Sequence, residues 1–222
     1  MSIKSNLQEV RNSLQNNVEL VAVSKYHTIE AVQEAYDAGQ RVFGESREQE
    51  LRIKHEALPQ DIRWHFIGHM QTNKVKYIAP YISMIEAVDS LKLMKEIEKQ
   101  AAKCNRVIDI LLELHLAQEE TKSGMLPQEC LDMLEQGEWR QLTHVRICGI
   151  MMMASNTDNQ EQIKSEFTKA LELFHTIKER FFANSDAFSI RSYGMSGDYL
   201  LAQQCGSNHV RVGSRIFSVQ QS

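Results

Sequence analysis

Short aliphatic runs alternate with longer amphipathic stretches along the whole chain. The runs have the length and side-chain type of strands buried on both faces. The longer stretches repeat apolar positions every three to four residues, the spacing of a helix with one buried side. Strand-like runs fall at 20–25, 41–44, 64–68, 84–88, 107–116, 145–150, 188–192 and 209–212. Helical patterns lie behind them: one opening at Thr28, then 46–56, 73–78, 89–103, one from Pro127, 159–180 and 196–204, with a leading helix over 2–15. Thr28 and Asp89-Ser90 stand where N-caps belong, and Pro127 suits a first helical turn.

Strands that alternate with helices pair in parallel through crossovers. The predicted fold is therefore α/β, a single-domain (β/α)8 TIM barrel over residues 1–222 with an extra N-terminal helix. An open doubly wound sheet is the second solution. It lacks support, because Ser24-Lys25-Tyr26-His27 stands where the glycine-rich dinucleotide turn would follow the first strand.

Composition narrows the class. The 222 residues carry 25 basic and 29 acidic side chains, a net charge of −4, which argues against a nucleic-acid partner. No apolar stretch approaches the ~20 residues of a membrane span. Met1-Ser2-Ile3-Lys4-Ser5-Asn6 has no apolar signal core. Cys104, Cys130, Cys148 and Cys205 are scattered, with no Cys-x-x-Cys pair, as expected of free thiols in a reducing compartment. A cytoplasmic, membrane-free monomer is the expectation.

In such a barrel the chemistry sits at the C-terminal ends of the strands, and phosphate often binds after strands seven and eight. Lys25 ends the first run. Partial loss of water there favours the neutral amine that attacks a carbonyl, although a strand-end lysine is more commonly just solvated. Gly194-Met195-Ser196-Gly197-Asp198 follows strand seven and Val212-Gly213-Ser214 follows strand eight. Ser196, placed at a helix start, and the Gly213-Ser214 turn together form a candidate phosphate cradle. Each alone would be ordinary capping. With Lys25 they imply a phosphorylated carbonyl compound held as a Schiff base. Arg211 either pairs outward with a helix or points inward to that compound, and alternation alone leaves both open.

Several segments then match a known family in collinear order. Val23-Ser24-Lys25, Phe43-Gly44-Glu45, the run from Trp64 through Gly68 to Asn73-Lys74, Lys122-Ser123-Gly124, Gly194-Met195-Ser196-x-Asp198 and Val210-Arg211-Val212-Gly213 resemble the pyridoxal phosphate homeostasis proteins. The Trp-His-Phe-Ile-Gly to Asn-Lys segment is the most specific piece. The resemblance implies the alanine racemase N-terminal-domain barrel, fold type III among pyridoxal phosphate proteins. It implies pyridoxal 5'-phosphate as cofactor, with Lys25 as the Schiff-base lysine. Ser196, Gly213 and Ser214 become phosphate contacts, and Arg211 the group near the pyridine ring or phosphate. Apoenzymes that use this cofactor are the implied recipients. Ser46 and Tyr26-His27 depart from the family pattern.

Three functions compete: a non-catalytic carrier that buffers pyridoxal phosphate, an amino-acid racemase-like enzyme, and a Schiff-base aldolase. Two-base racemisation needs an acid/base group on each face of the substrate carbon. Racemases of this kind take the second from a further β domain, for which the strand rhythm leaves no residues, so the carrier is expected. Other motifs read more simply. His65 is a satisfied core histidine and His69 a mouth residue rather than a zinc pair. Met151-Met152-Met153 packs the barrel mouth. Residues 47–54 read as a solvated charged helix face. Residues 121–124 form either a plain turn or a lid.

Overall fold

The structure, a computed structural model, describes residues 2–117 and 123–218. Eight parallel strands close into a barrel in chain order. They are β1 (Glu19–Val23), β2 (Val42–Glu45), β3 (Arg63–Phe66), β4 (Met84–Val88), β5 (Ile108–Leu114), β6 (Val145–Met152), β7 (Ile190–Ser192) and β8 (His209–Val212). Closure is made by β8 pairing back on β1, with Leu20 opposite Val210 and Val21 opposite Arg211. That seam excludes the open sheet.

Helices α2 (Ile29–Asp37), α3 (Glu48–Ala57), α4 (Val75–Ile78), α5 (Leu91–Lys103), α6 (Pro127–Gln136), α7 (Gln160–Phe181) and α8 (Tyr199–Gln204) follow β1 to β7 in turn. The caps are side-chain oxygens: Thr28 accepts from Ala31 N, Ser90 from Leu93 N and Asn159 from Gln162 N. α1 (Ile3–Asn12) leads the barrel and α9 (Ser214–Phe217) ends it. They touch, the buried Asn6 side chain donating to the Ile216 carbonyl at 3.1 Å. No helix among the described residues is long and apolar enough to cross a membrane. All four cysteines are free, and burial pushes the Cys130 and Cys148 thiols up to about 12.

Alternation along each strand splits the interior in two. Outward residues such as Ala22, Phe43, Trp64, Phe66, Ile85, Ile110, Leu112, Val210 and Val212 join the helix faces in one large apolar layer. Each large side chain buried there contributes about 1.5–3 kcal/mol relative to exposure. A second, smaller apolar cluster of Met84, Ala87, Leu111, Cys148 and Met151 fills part of the bore.

The rest of the bore is polar. Ser192 on β7 donates to Glu86 on β4 at 2.6 Å, a contact between non-adjacent strands that only the barrel interior allows. Several boundaries move from expectation, two of them with a cause in side-chain contacts. β7 begins at Ile190 because Phe188 turns outward to stack on Phe182, with ring centroids 4.4 Å apart. α8 begins at Tyr199 because the Asp198 carboxylate accepts from Met195 N at 2.6 Å and holds a turn before it.

Candidate functional site

The strand ends gather the expected residues on one face of the barrel. Lys25 follows β1 after Ser24 and is half-buried, its ammonium 5.8 Å from the Tyr26 ring centroid. Tyr26 holds a left-handed φ of 67°, so the chain turns sharply just after the lysine.

Across the closing seam stands Gly213. A Cβ there would lie 3.0 Å from the Val23 carbonyl oxygen, so the turn after β8 packs against the strand that delivers Lys25. The Gly213 amide donates to Ser196 Oγ at 3.1 Å, and Arg215 Nε donates to the Ser196 carbonyl at 2.7 Å. The turns after β7 and β8 are thus tied together beside the lysine. His27 stacks on Phe217 at 4.7 Å and joins the β1 loop to α9.

Two placements correct the expectations from sequence. Ser196 lies in the turn before α8 rather than at its first residue. Residues 47–54 are not a solvated face, since Glu48 and Lys54 are buried. Lys54 reaches under β1 and β2, donating to Glu45 Oε1 at 2.6 Å and to the Ser24 carbonyl at 2.7 Å. Ser214 opens α9 and is exposed.

Arg211 points inward and is 4% exposed. Its guanidinium donates to the Ser192 carbonyl and hydroxyl at 2.9 and 2.6 Å and to the Met152 carbonyl at 2.9 Å. Glu86 Oε2 lies 3.6 Å away, and Glu86 Oε1 lies 2.7 Å from His65 Nδ1. Burial by itself would raise the Glu86 carboxyl. His65, Arg211 and the Ser192 hydroxyl outweigh it and hold the group down at about 2. Burial also lowers Arg211, against the attraction of Glu86. His65 is therefore the satisfied core histidine expected. His69 sits exposed at the mouth, 3.6 Å from Asp89.

Three acids are buried in the strands: Glu45 stands in the Phe43-Gly44-Glu45 motif, while Glu113 and Glu86 do not stand out from the sequence. Glu113, 2% exposed at the end of β5, accepts from Ser123 Oγ at 2.6 Å and has no partner for Oε2 among the described residues. Burial raises its carboxyl. Burial likewise raises Glu45, against the pull of Lys54. Glu86 is the third. Their common signal is an acid inside an apolar strand run, as in Met84-Ile85-Glu86-Ala87-Val88. The expected turn or lid over 121–124 falls partly outside the described residues; within it, Ser123 bonds Glu113.

A parallel barrel with a lysine just past the first strand and linked Ser/Gly turns after the last two defines a class, the alanine racemase N-terminal barrels. The family model described as alanine racemase, N-terminal domain, matches residues 1–221. An alanine racemase from Clostridium difficile 630 in complex with cycloserine shares the fold at TM-score 0.77 and 14% identity, over 100% of this chain and 60% of that one.

Nearer relatives narrow the class. The pyridoxal phosphate homeostasis protein of Aquifex aeolicus is 36% identical over 91% of this chain and 87% of its own. That of Schizosaccharomyces pombe is 35% identical over 97% and 89%. PipY of Synechococcus elongatus, solved without and with pyridoxal phosphate bound, superposes at TM-scores of 0.91 and 0.88 with 32% and 31% identity. Both cover 98% of this chain and 100% of PipY. The chain belongs to the pyridoxal phosphate homeostasis protein family.

Proposed function

We propose that this protein holds pyridoxal 5'-phosphate reversibly on Lys25 and buffers its free level for recipient apoenzymes, without turning over a substrate. When bound, the cofactor supplies an aldehyde that condenses with an amine, releasing water, and a ring nitrogen whose protonation makes it an electron sink. The observation that carries the reading is the Ser196–Gly213 link beside the end of β1, the strand that leads into Lys25.

The residues fit such a ligand. Lys25 is the amine, while Ser196, Gly213 and Ser214 offer hydroxyls and a close-packed backbone for the phosphate. Arg211 is the inward cation for the ring. A guanidinium at the ring nitrogen would disfavour its protonation and weaken the electron sink. The monomer is the proposed working unit.

Spectroscopy with borohydride tests this. Protein mixed with pyridoxal phosphate should show a visible band that reduction fixes to the peptide containing Lys25, and Lys25→Ala should abolish it. A full band in Lys25→Ala overturns the Lys25 assignment, and unchanged retention when the Ser196 and Ser214 hydroxyls are removed together takes them out of the phosphate site. Sustained interconversion of alanine or serine enantiomers by pure protein would establish the racemase instead.

A further inference from the structure

We propose that α3 is the positioning element for Lys25, acting through Lys54 and Glu50; the inference rests on Lys25 being the amine that captures pyridoxal phosphate. The lysine is bracketed. On its N-terminal side the Lys54 ammonium holds the Ser24 carbonyl at 2.7 Å. On its C-terminal side a carboxylate oxygen of Glu50 accepts the Tyr26 amide at 2.9 Å. Glu50 and Lys54 are one helical turn apart and 3.7 Å from each other, so one face of one helix clamps both neighbours of Lys25.

The clamp is braced from behind. Ser24 Oγ and Lys54 both donate to Glu45 Oε1 at 2.6 Å, and Glu45 is fully buried. Lysine is almost never this buried unless paired, and a buried ion pair is a poor route to stability because desolvation offsets the attraction. Tyr26 adds a left-handed backbone that a non-glycine residue adopts only when its surroundings impose it. A strained turn and a buried charge pair meeting on either side of one lysine have a common purpose in fixing where that amine points. Glu45, Glu50, Lys54, Arg47 and His27 are the charged and titratable groups around this turn. Arg47 lies on the Tyr26 ring, and the Lys54 charge depresses His27 after burial has done so.

The test separates the covalent step from ligand binding. Pyridoxal phosphate reports both, whereas pyridoxine 5'-phosphate has an alcohol in place of the aldehyde and reports only the phosphate and ring contacts. Stopped-flow formation of the visible band should slow about tenfold in Glu50→Ala, the effect of displacing a reacting group by a fraction of an ångström. Affinity for pyridoxine phosphate should stay at the wild-type value. Lys54→Met should slow capture further, and Lys54→Arg, which keeps donors for Ser24 and Glu45, should restore most of the rate. Glu50→Ala, at a partly exposed position, serves even where Lys54→Met does not fold.

Wild-type capture rates in Glu50→Ala and Lys54→Met overturn the inference. So does an equal loss for both ligands, which marks a merely structural role. Wild-type protein that forms no band on Lys25 overturns the underlying reading instead.

Discussion

Gly213 shows how much one missing side chain does at this site. An added Cβ would meet the Val23 oxygen at 3.0 Å, tight enough that the seam must open by a few tenths of an ångström. Gly213→Ala should cost about 1–3 kcal/mol of stability, the usual range for overpacking. Retention of pyridoxal phosphate should fall more than that, because the displaced atoms carry both the Ser196 bond and the end of β1. Thermal melting and dialysis of loaded protein measure the two effects, and unchanged retention would remove Gly213 from the cradle. The placement of Gly213 and Lys25 is legible in the sequence because the strand rhythm sets each just past the end of a strand, at the barrel mouth. Arg211 is half legible: its type is plain, its direction is not, and the neighbours Val210 and Val212 facing the helices settle it as inward. Lys54 is illegible for a physical reason. A lysine in a mixed-charge helix looks the same whether solvated or buried, and only the approach of α3 to Glu45 distinguishes them.

At the scale of elements, the strand rhythm locates all eight strands, and the bounds of β4 and β8 agree residue for residue. The short elements at the mouth are less legible. α9 is one turn, formed as the chain passes α1, and no periodicity shows in four residues. β6 runs two residues longer than expected because Met151 and Met152 continue its pairing with β5 beyond a register shift at Ile110/Leu111. Gly149 sits at that shift. An added Cβ would fall 1.9 Å from the Ile190 carbonyl oxygen, on backbone that cannot yield without parting β6 from β7. Gly149→Ala should therefore lose about 3 kcal/mol or more, beyond ordinary overpacking. Urea titration followed by far-UV circular dichroism reads this directly, and a wild-type midpoint would mean that the strands separate at little cost.

The molecule as a whole is a barrel with a charged axis, and that axis makes its stability depend on acid. Glu86, His65, Ser192 and Arg211 come from four strands and meet in the bore, so no single element holds the network. Glu86 is the centre: its carboxyl is held near 2 in the fold against 4.5 when exposed. A depressed carboxyl stabilises the folded state above its unfolded value, and that stability drains away as pH falls from about 4.5 toward 2. Glu113 and Glu45 are raised and act the other way, favouring the fold at low pH and penalising it as pH rises through their folded values. Glu86 should dominate the acid limb because it also neutralises the buried Arg211. Glu86→Gln should cost about 3–5 kcal/mol at pH 7, the penalty for leaving one charge of a buried pair alone. The loss should shrink as pH drops below 4.5, where Glu86 of the unfolded wild-type chain takes up a proton that the folded carboxylate, held near 2, still refuses. Urea midpoints from pH 7 to pH 3 would show the two curves converging. Parallel curves would place the acid sensitivity elsewhere and reduce the Glu86–Arg211 contact to packing.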